Sequence, residues 1–174
     1  MRNRPTARFV NGVVAALIVA FLFAHSLLGG LEGIFPLTAP PKWILWLGVI
    51  VIGVHVVASI VTSYGQLTDT EFPPSARKKR HLLLKWVSGG ALAVVAAAHI
   101  VYMQTSGAHT VQASPVSAAV ALVLIVALAV HSWIGAKSLV TDLGFPKRLM
   151  LPFRIVVCVL AVAAGCIVLL GMVH

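Results

Sequence analysis

Five apolar stretches divide this chain, and each is close to the ~20 residues that an α-helix needs to cross the hydrocarbon of a membrane. Hydrophobic residues make up 60% of the chain and charged residues only 10%, which is outside the range of soluble globular proteins. The sequence therefore predicts one all-α integral membrane domain over residues 1–174, built as a bundle of five transmembrane helices. The predicted helices cover about residues 9–30, 43–64, 82–104, 116–137 and 150–172.

The basic residues that produce the net charge of +9 lie beside the ends of these helices. In a soluble protein such a charge would favour a nucleic-acid partner, whereas here it follows membrane topology, so no nucleic acid is expected. The positive-inside rule then places the N-terminus in the cytoplasm and the C-terminus outside. The cytoplasmic side would carry Arg2, Arg4, Arg8, Arg77, Lys78, Lys79, Arg80, Lys85, Lys137, Lys147, Arg148 and Arg154, against Lys42 alone on the opposite side.

The longest inner connection is predicted at residues 65–81, which are first polar and then strongly basic. Two interpretations stay open for it, a solvated loop or a contact with anionic lipid or a docked subunit. His81 in this basic turn, His109 in an outer loop and the terminal His174 are expected to be solvated.

Four further histidines each lie inside a different apolar stretch: His25, His55, His99 and His131. Histidine is a usual axial ligand of haem iron, and an ionisable side chain within a membrane indicates a functional site. Counting ~1.5 Å per residue along each helix puts His25 and His99 at one outer level, and His55 and His131 at one inner level. The two levels differ by ~10–15 Å, which predicts two b-type haems, each with two histidine ligands.

Small residues on the histidine faces would give a flat macrocycle room. Gly29 and Gly135 follow His25 and His131 by four residues and share their helical faces. The alternative is that small residues only let membrane helices approach one another closely.

Motifs for other redox groups are absent from the sequence. There is no C-x-x-C pair and no G-x-G-x-x-G, and Cys158 and Cys166 are too far apart along helix 5 to bond. Any flavin or iron–sulfur cluster is therefore expected on a partner subunit.

The stretch HSWIGAKSLVTD from His131 to Asp142, followed by RLML from Arg148, resembles the haem-ligand helix of succinate dehydrogenase membrane anchors. The five-helix plan with its histidines, and AHIVYM around His99, is similar to the dihaem cytochrome b subunit of fumarate reductases in the same superfamily. The resemblance implies a respiratory complex of a prokaryotic inner membrane, which exchanges electrons between a membrane quinone and cytoplasmic flavoprotein and iron–sulfur subunits. The dicarboxylate chemistry would lie on those partners, and whether such complexes dimerise stays open.

The resemblance also implies roles for individual residues. His55 and His131 would hold the haem nearer the iron–sulfur subunit, and His25 and His99 the outer one. Asn11 would correspond to a residue that binds a haem propionate, or would be only a polar residue at a helix start. Glu32, the one outer acid, would accept a proton from menaquinol, or would be an ordinary loop glutamate.

Two positions depart from the family pattern. Leu143 replaces a tyrosine that contacts quinone in the mono-haem anchors, and Ala129 replaces a glutamate linked to proton transfer in the dihaem subunits. Two alternative functions stay open. The first is the dihaem cytochrome b of another respiratory complex, such as nitrate reductase, hydrogenase or formate dehydrogenase. The second is a haem-free transporter or structural anchor whose histidines carry protons.

Overall fold

The computed structural model describes residues 4–32, 34–35, 42–68, 70, 73–106 and 114–173. The structure is all-helical over this part of the chain, and five of its helices are long and apolar enough to cross a membrane, as the sequence predicts. The helices are α1 (Arg4–Leu31), α2 (Lys42–Leu67), α3 (Ala76–Thr105), α4 (Pro115–Asp142) and α5 (Met150–Leu170). His109 and His174 lie outside the described residues.

The basic segment between α2 and α3 differs from its prediction as a loop over residues 65–81. Here α2 continues to Leu67 and α3 begins at Ala76, so the cations from Arg77 to Arg80 are helical. Ser75 caps this helix by accepting a hydrogen bond from the backbone N–H of Lys78 at 3.4 Å. The prediction failed because a capping serine after two prolines starts a helix despite the charged residues that follow it.

Both ends of α4 are fixed by local hydrogen bonds. Ser114 and Ser117 form a reciprocal capping box at its start, with Pro115 in the first turn. At its end, the N–H of Phe145 bonds to the carbonyl of Val140 at 2.9 Å, and Gly144 has a φ of 77°. This is a Schellman turn, which needs glycine because a side chain strains the left-handed conformation. It turns the chain into the single 3-10 turn Lys147–Leu149 before α5.

The tight core of the bundle lies among α1, α4 and α5, which all pack against one another. Phe23 of α1, Leu128 of α4 and Val157 of α5 are almost fully buried together. Ala118 of α4 and Ala164 of α5 are buried in a second cluster, where small residues let membrane helices approach each other.

Helices α2 and α3 flank this core without packing extensively on each other. Among the described residues, α2 packs on α1 and α3 packs on α4, and neither makes a comparable approach to α5. The helix contacts therefore run in the order α2–α1–α4–α3, with α5 packed on α1 and α4. We call the faces of α1–α4 that carry His25, His55, His99 and His131 the histidine trough.

Candidate functional site

The four histidines predicted as haem ligands come from four successive helices, one each from α1 to α4, and all are half-buried. The structure brings them together in two groups. His55 and His131 lie within electrostatic range of each other, and so do His25 and His99. We call these the inner pair and the outer pair.

His131 of the inner pair is held by α3. Its Nδ1 lies 3.0 Å from the Ser88 hydroxyl, which also lies 3.1 Å from the backbone carbonyl of Lys85. A serine has one proton to donate, so a donation to the carbonyl leaves its oxygen to accept from the Nδ1–H of His131. The lone pair of the neutral imidazole is then on Nε2, the usual metal-ligating nitrogen when Nδ1 is hydrogen-bonded.

Gly89 completes this contact between α3 and α4. A Cβ added at Gly89 would lie 3.1 Å from the ring carbon Cε1 of His131, which is tighter than ordinary packing. The glycine therefore lets the imidazole lie directly against the backbone of α3.

His55 is connected to α1 through a serine one turn further along α2. The Ser59 hydroxyl donates to Asn11 Oδ1 at 3.3 Å and lies 3.4 Å from His55 Nε2. Asn11 is 3% exposed, which places its amide inside the bundle next to the inner pair. Nδ1 of His55 is buried and has no hydrogen-bond partner among the described residues.

A cluster of charges lies beside the inner pair. Lys85, on the trough face of α3, is within electrostatic range of His55, His131 and the carboxylate of Asp142. Asp142 itself binds Arg8, with Nη2 at 2.8 Å and Nε at 2.9 Å from the same carboxylate oxygen. The aspartate side chain is 8% exposed and the arginine 48% exposed. This ion pair joins the start of α1 to the end of α4 and identifies one end of the bundle, which we call the basic end.

The outer pair has apolar surroundings. The ring of Phe21 is nearly parallel to that of His25, with an interplanar angle of 6° and a centroid separation of 6.2 Å. Gly48 of α2 lies against Phe21, and any Cβ at this position would overlap the phenyl ring. Nδ1 of His99 is buried without a hydrogen-bond partner among the described residues.

The glycines predicted to make room beside the histidines do not mediate helix contacts. A Cβ added at Gly29 or Gly135 would meet no other atom within 4 Å. Close helix approach, the alternative explanation for these two glycines, therefore has no support in the structure. The faces of α1 and α4 next to His25 and His131 are open at these positions.

Glu32 lies in the turn after α1 and is half-buried. It follows His25 by seven residues, which puts it on the same face about 10 Å further along the axis. Its role in accepting a proton stays a prediction.

His81 does not have the solvated position expected for it. It lies in the second turn of α3, is half-buried, and its Nε2 is buried without a hydrogen-bond partner in the described part of the chain. The expectation was wrong because it treated the basic segment as a loop. On the helix, His81 lies on the same face as Lys85 and Ser88.

The histidines lie in pairs, and a pair is the number of side chains that a haem would need. Within the described ranges no group of three or more His, Cys, Asp or Glu side chains converges as an ion would require, and Cys158 and Cys166 are free and exposed. Haem needs only two axial ligands because the macrocycle supplies the other four. Paired histidines would meet that need, and Nδ1 of both His55 and His99 is buried without a hydrogen-bond partner among the described residues.

Three trough residues near the inner pair were not predicted as part of a site: Ser59, Ser88 and Lys85. The spacing along α3 could have indicated Lys85 and Ser88. One face of this helix carries a residue at every third or fourth position, namely His81, Lys85, Ser88, Leu92, Val95 and His99. That spacing puts a lysine and a serine on the face of His99. Ser59 likewise follows His55 by one turn.

Comparison of the chain with protein-family models, curated proteins and solved structures finds no match.

Proposed function

We propose that this chain is the dihaem cytochrome b anchor of a succinate:quinone oxidoreductase, most similar to the fumarate reductase type. One observation carries the proposal: four histidines on four successive apolar helices fall into two pairs, His55 with His131 and His25 with His99. Two such pairs match the ligand requirement of two haems.

The residues of the trough would bind and orient the two groups. His55 and His131 would hold the inner haem, and His25 and His99 the outer one. Ser88 would fix the His131 ring through Nδ1, since a ligating histidine is usually oriented by a hydrogen bond to its other nitrogen. Asn11 and Ser59 would offer polar contacts beside His55.

Two histidines on each iron favour electron transfer over substrate chemistry. A haem held by two histidines would supply one-electron transfer. The tight α1–α4–α5 core keeps the helices that carry His25 and His131 in fixed positions.

The two ends of the bundle would have different partners. The basic end would face the cytoplasm, in keeping with the positive-inside rule, and would receive the iron–sulfur and flavoprotein subunits. Menaquinol would react near the opposite end, where Glu32 follows His25 by two turns and would accept a proton. The complex would lie in the inner membrane of a prokaryote.

Absorbance spectroscopy on the chain, purified with its co-purifying subunits, tests the proposal. We expect a reduced-minus-oxidised spectrum of b-type haem, two haems per chain by pyridine haemochrome, and quinol-dependent fumarate reduction. A preparation without haem would overturn the cytochrome assignment. Two haems with a molybdenum-containing or hydrogenase partner would instead assign the chain to another respiratory complex.

A further inference from the structure

A cleft of about 300 Å³ lies between α2 and α3 near the basic end, outside the histidine trough. Four of its lining residues are apolar and two are cations. The lining residues are Leu67, Lys79, Arg80, Leu82, Leu83 and Trp86.

The cleft lies between the end of α2 and the start of α3, two helices that do not pack extensively on each other. Leu67 is the last residue of α2, and the other lining residues lie in the first three turns of α3. Leu83 is 60% exposed and Trp86 is 41% exposed, so the apolar wall of the cleft is open to the surroundings of the bundle.

Charge and apolar surface are separated along the cleft. Lys79, Leu82, Leu83 and Trp86 follow helical spacing and share one face of α3, with Arg80 beside it. The eight residues from Lys79 to Trp86 span about 10 Å along the helix axis. The cations therefore lie nearer the helix end, and the apolar wall extends toward the membrane centre.

We propose that this cleft binds an anionic phospholipid. Lys79 and Arg80 would bind the phosphodiester, while Leu67, Leu83 and Trp86 would contact the upper acyl chain. The arrangement fits an anionic amphiphile, because an anion alone would leave the apolar wall uncovered. A zwitterionic lipid balances its phosphate with its own ammonium and would leave the charge of the two cations without net neutralisation. No acidic side chain is among the six lining residues. Basic sites between transmembrane helices on the cytoplasmic side commonly bind such headgroups. The proposal is independent of haem binding.

Photocrosslinking in phosphatidylcholine nanodiscs tests the site. The full chain, with any co-purifying subunits, is reconstituted with a trace of phosphatidylglycerol carrying a diazirine on its acyl chain. A parallel sample contains the matched diazirine phosphatidylcholine. We expect peptide mapping to place phosphatidylglycerol adducts at Leu67, Leu83 or Trp86, with much lower yield from phosphatidylcholine.

Two charge-matched double variants locate the headgroup. Lys79→Gln/Arg80→Gln should reduce phosphatidylglycerol labelling about fivefold for each charge removed, or roughly 25-fold for the pair. Arg77→Gln/Lys78→Gln removes the same charge from the same helical turn but from outside the cleft, and should keep most of the labelling. Equal labelling by the two lipids, or equal loss in the two variants, would overturn the proposal. Size-exclusion chromatography checks that both variants remain folded.

Discussion

The inner and outer histidine pairs differ in the side chains around them. The inner pair touches Ser88 and Ser59 and has the cation of Lys85 within electrostatic range. The outer pair has Phe21 stacked on His25 and a buried, unpartnered nitrogen on His99. One end of the trough is thus polar and charged, and the other is aromatic and apolar.

This difference predicts which property of a bound haem each pair would influence. Hydrogen bonds and nearby charges tune the reduction potential of a bound iron centre, whereas apolar packing restricts the orientation of a histidine ring. We therefore expect changes near the inner pair to alter ligand orientation and potential, and changes near the outer pair to act through shape.

Double histidine variants test most directly which histidines belong to the same pair. His55→Ala/His131→Ala should remove one haem and leave one, since both ligands belong to the inner pair. His25→Ala/His55→Ala should remove both, because it takes one ligand from each pair. Pyridine haemochrome quantitation per chain measures the difference.

A matched control for these variants is His81→Ala, which should keep two haems. If His55→Ala/His131→Ala lost as much haem as His25→Ala/His55→Ala, the pairing would be wrong.

Gly48→Ala should disturb the outer pair alone. The added methyl would overlap the Phe21 ring that stacks on His25, and overpacking of this kind costs about 1–3 kcal/mol. We expect lower thermal stability and loss of outer haem with the inner haem retained, read from the haem content and the spectrum.

Gly53→Ala on the same helix is the control, because its Cβ would meet no atom within 4 Å. It should leave both haems in place. Equal effects of the two glycine variants would show that α2 tolerates no added methyl, rather than that Phe21 is displaced.

Ser88→Ala should weaken the inner site by about tenfold in haem affinity, as expected when a ligating histidine loses its orienting hydrogen bond. Haem titration of the stripped protein measures this change. Ser132→Ala serves as the comparison, since Ser132 adjoins His131 and is buried but has no hydrogen-bond partner among the described residues. A similar loss in both variants would contradict an orienting role for Ser88.

Lys85→Gln should produce the smallest change, a lower midpoint potential of the inner haem. A nearby cation favours the reduced form, and a shift of roughly 50 mV corresponds to slightly less than a tenfold change in a one-electron equilibrium. Lys85→Arg should keep the potential, and Lys137→Gln, which removes an exposed cation from α4, should change it little. Potentiometric titration measures the midpoint potential. An unchanged potential in Lys85→Gln would rule out an electrostatic role for Lys85.

Much of the fold could be predicted from hydropathy and helical rise. Apolar length gave five helices, because a membrane allows few alternatives to a helix. The grouping of His25 with His99, and of His55 with His131, follows from counting residues inward from alternate sides.

Contacts between helices could not be predicted in the same way. Ser88 reaches His131 across 43 positions of sequence, and its side chain has no pattern that specifies this partner. Lys85 was assigned to topology alone, because a lysine near a helix end normally extends toward the headgroups. The early start of α3 depended on one capping serine.

The core among α1, α4 and α5 also has a consequence for biosynthesis. Phe23 lies on α1 and Val157 on α5, which follows the other four helices in the sequence, yet the two are buried together. The contacts of α1 and α4 with α5 can therefore form only after α5 has been inserted. A nascent chain arrested before Met150 would hold all four histidines in lipid and still lack the helix that fixes them in place.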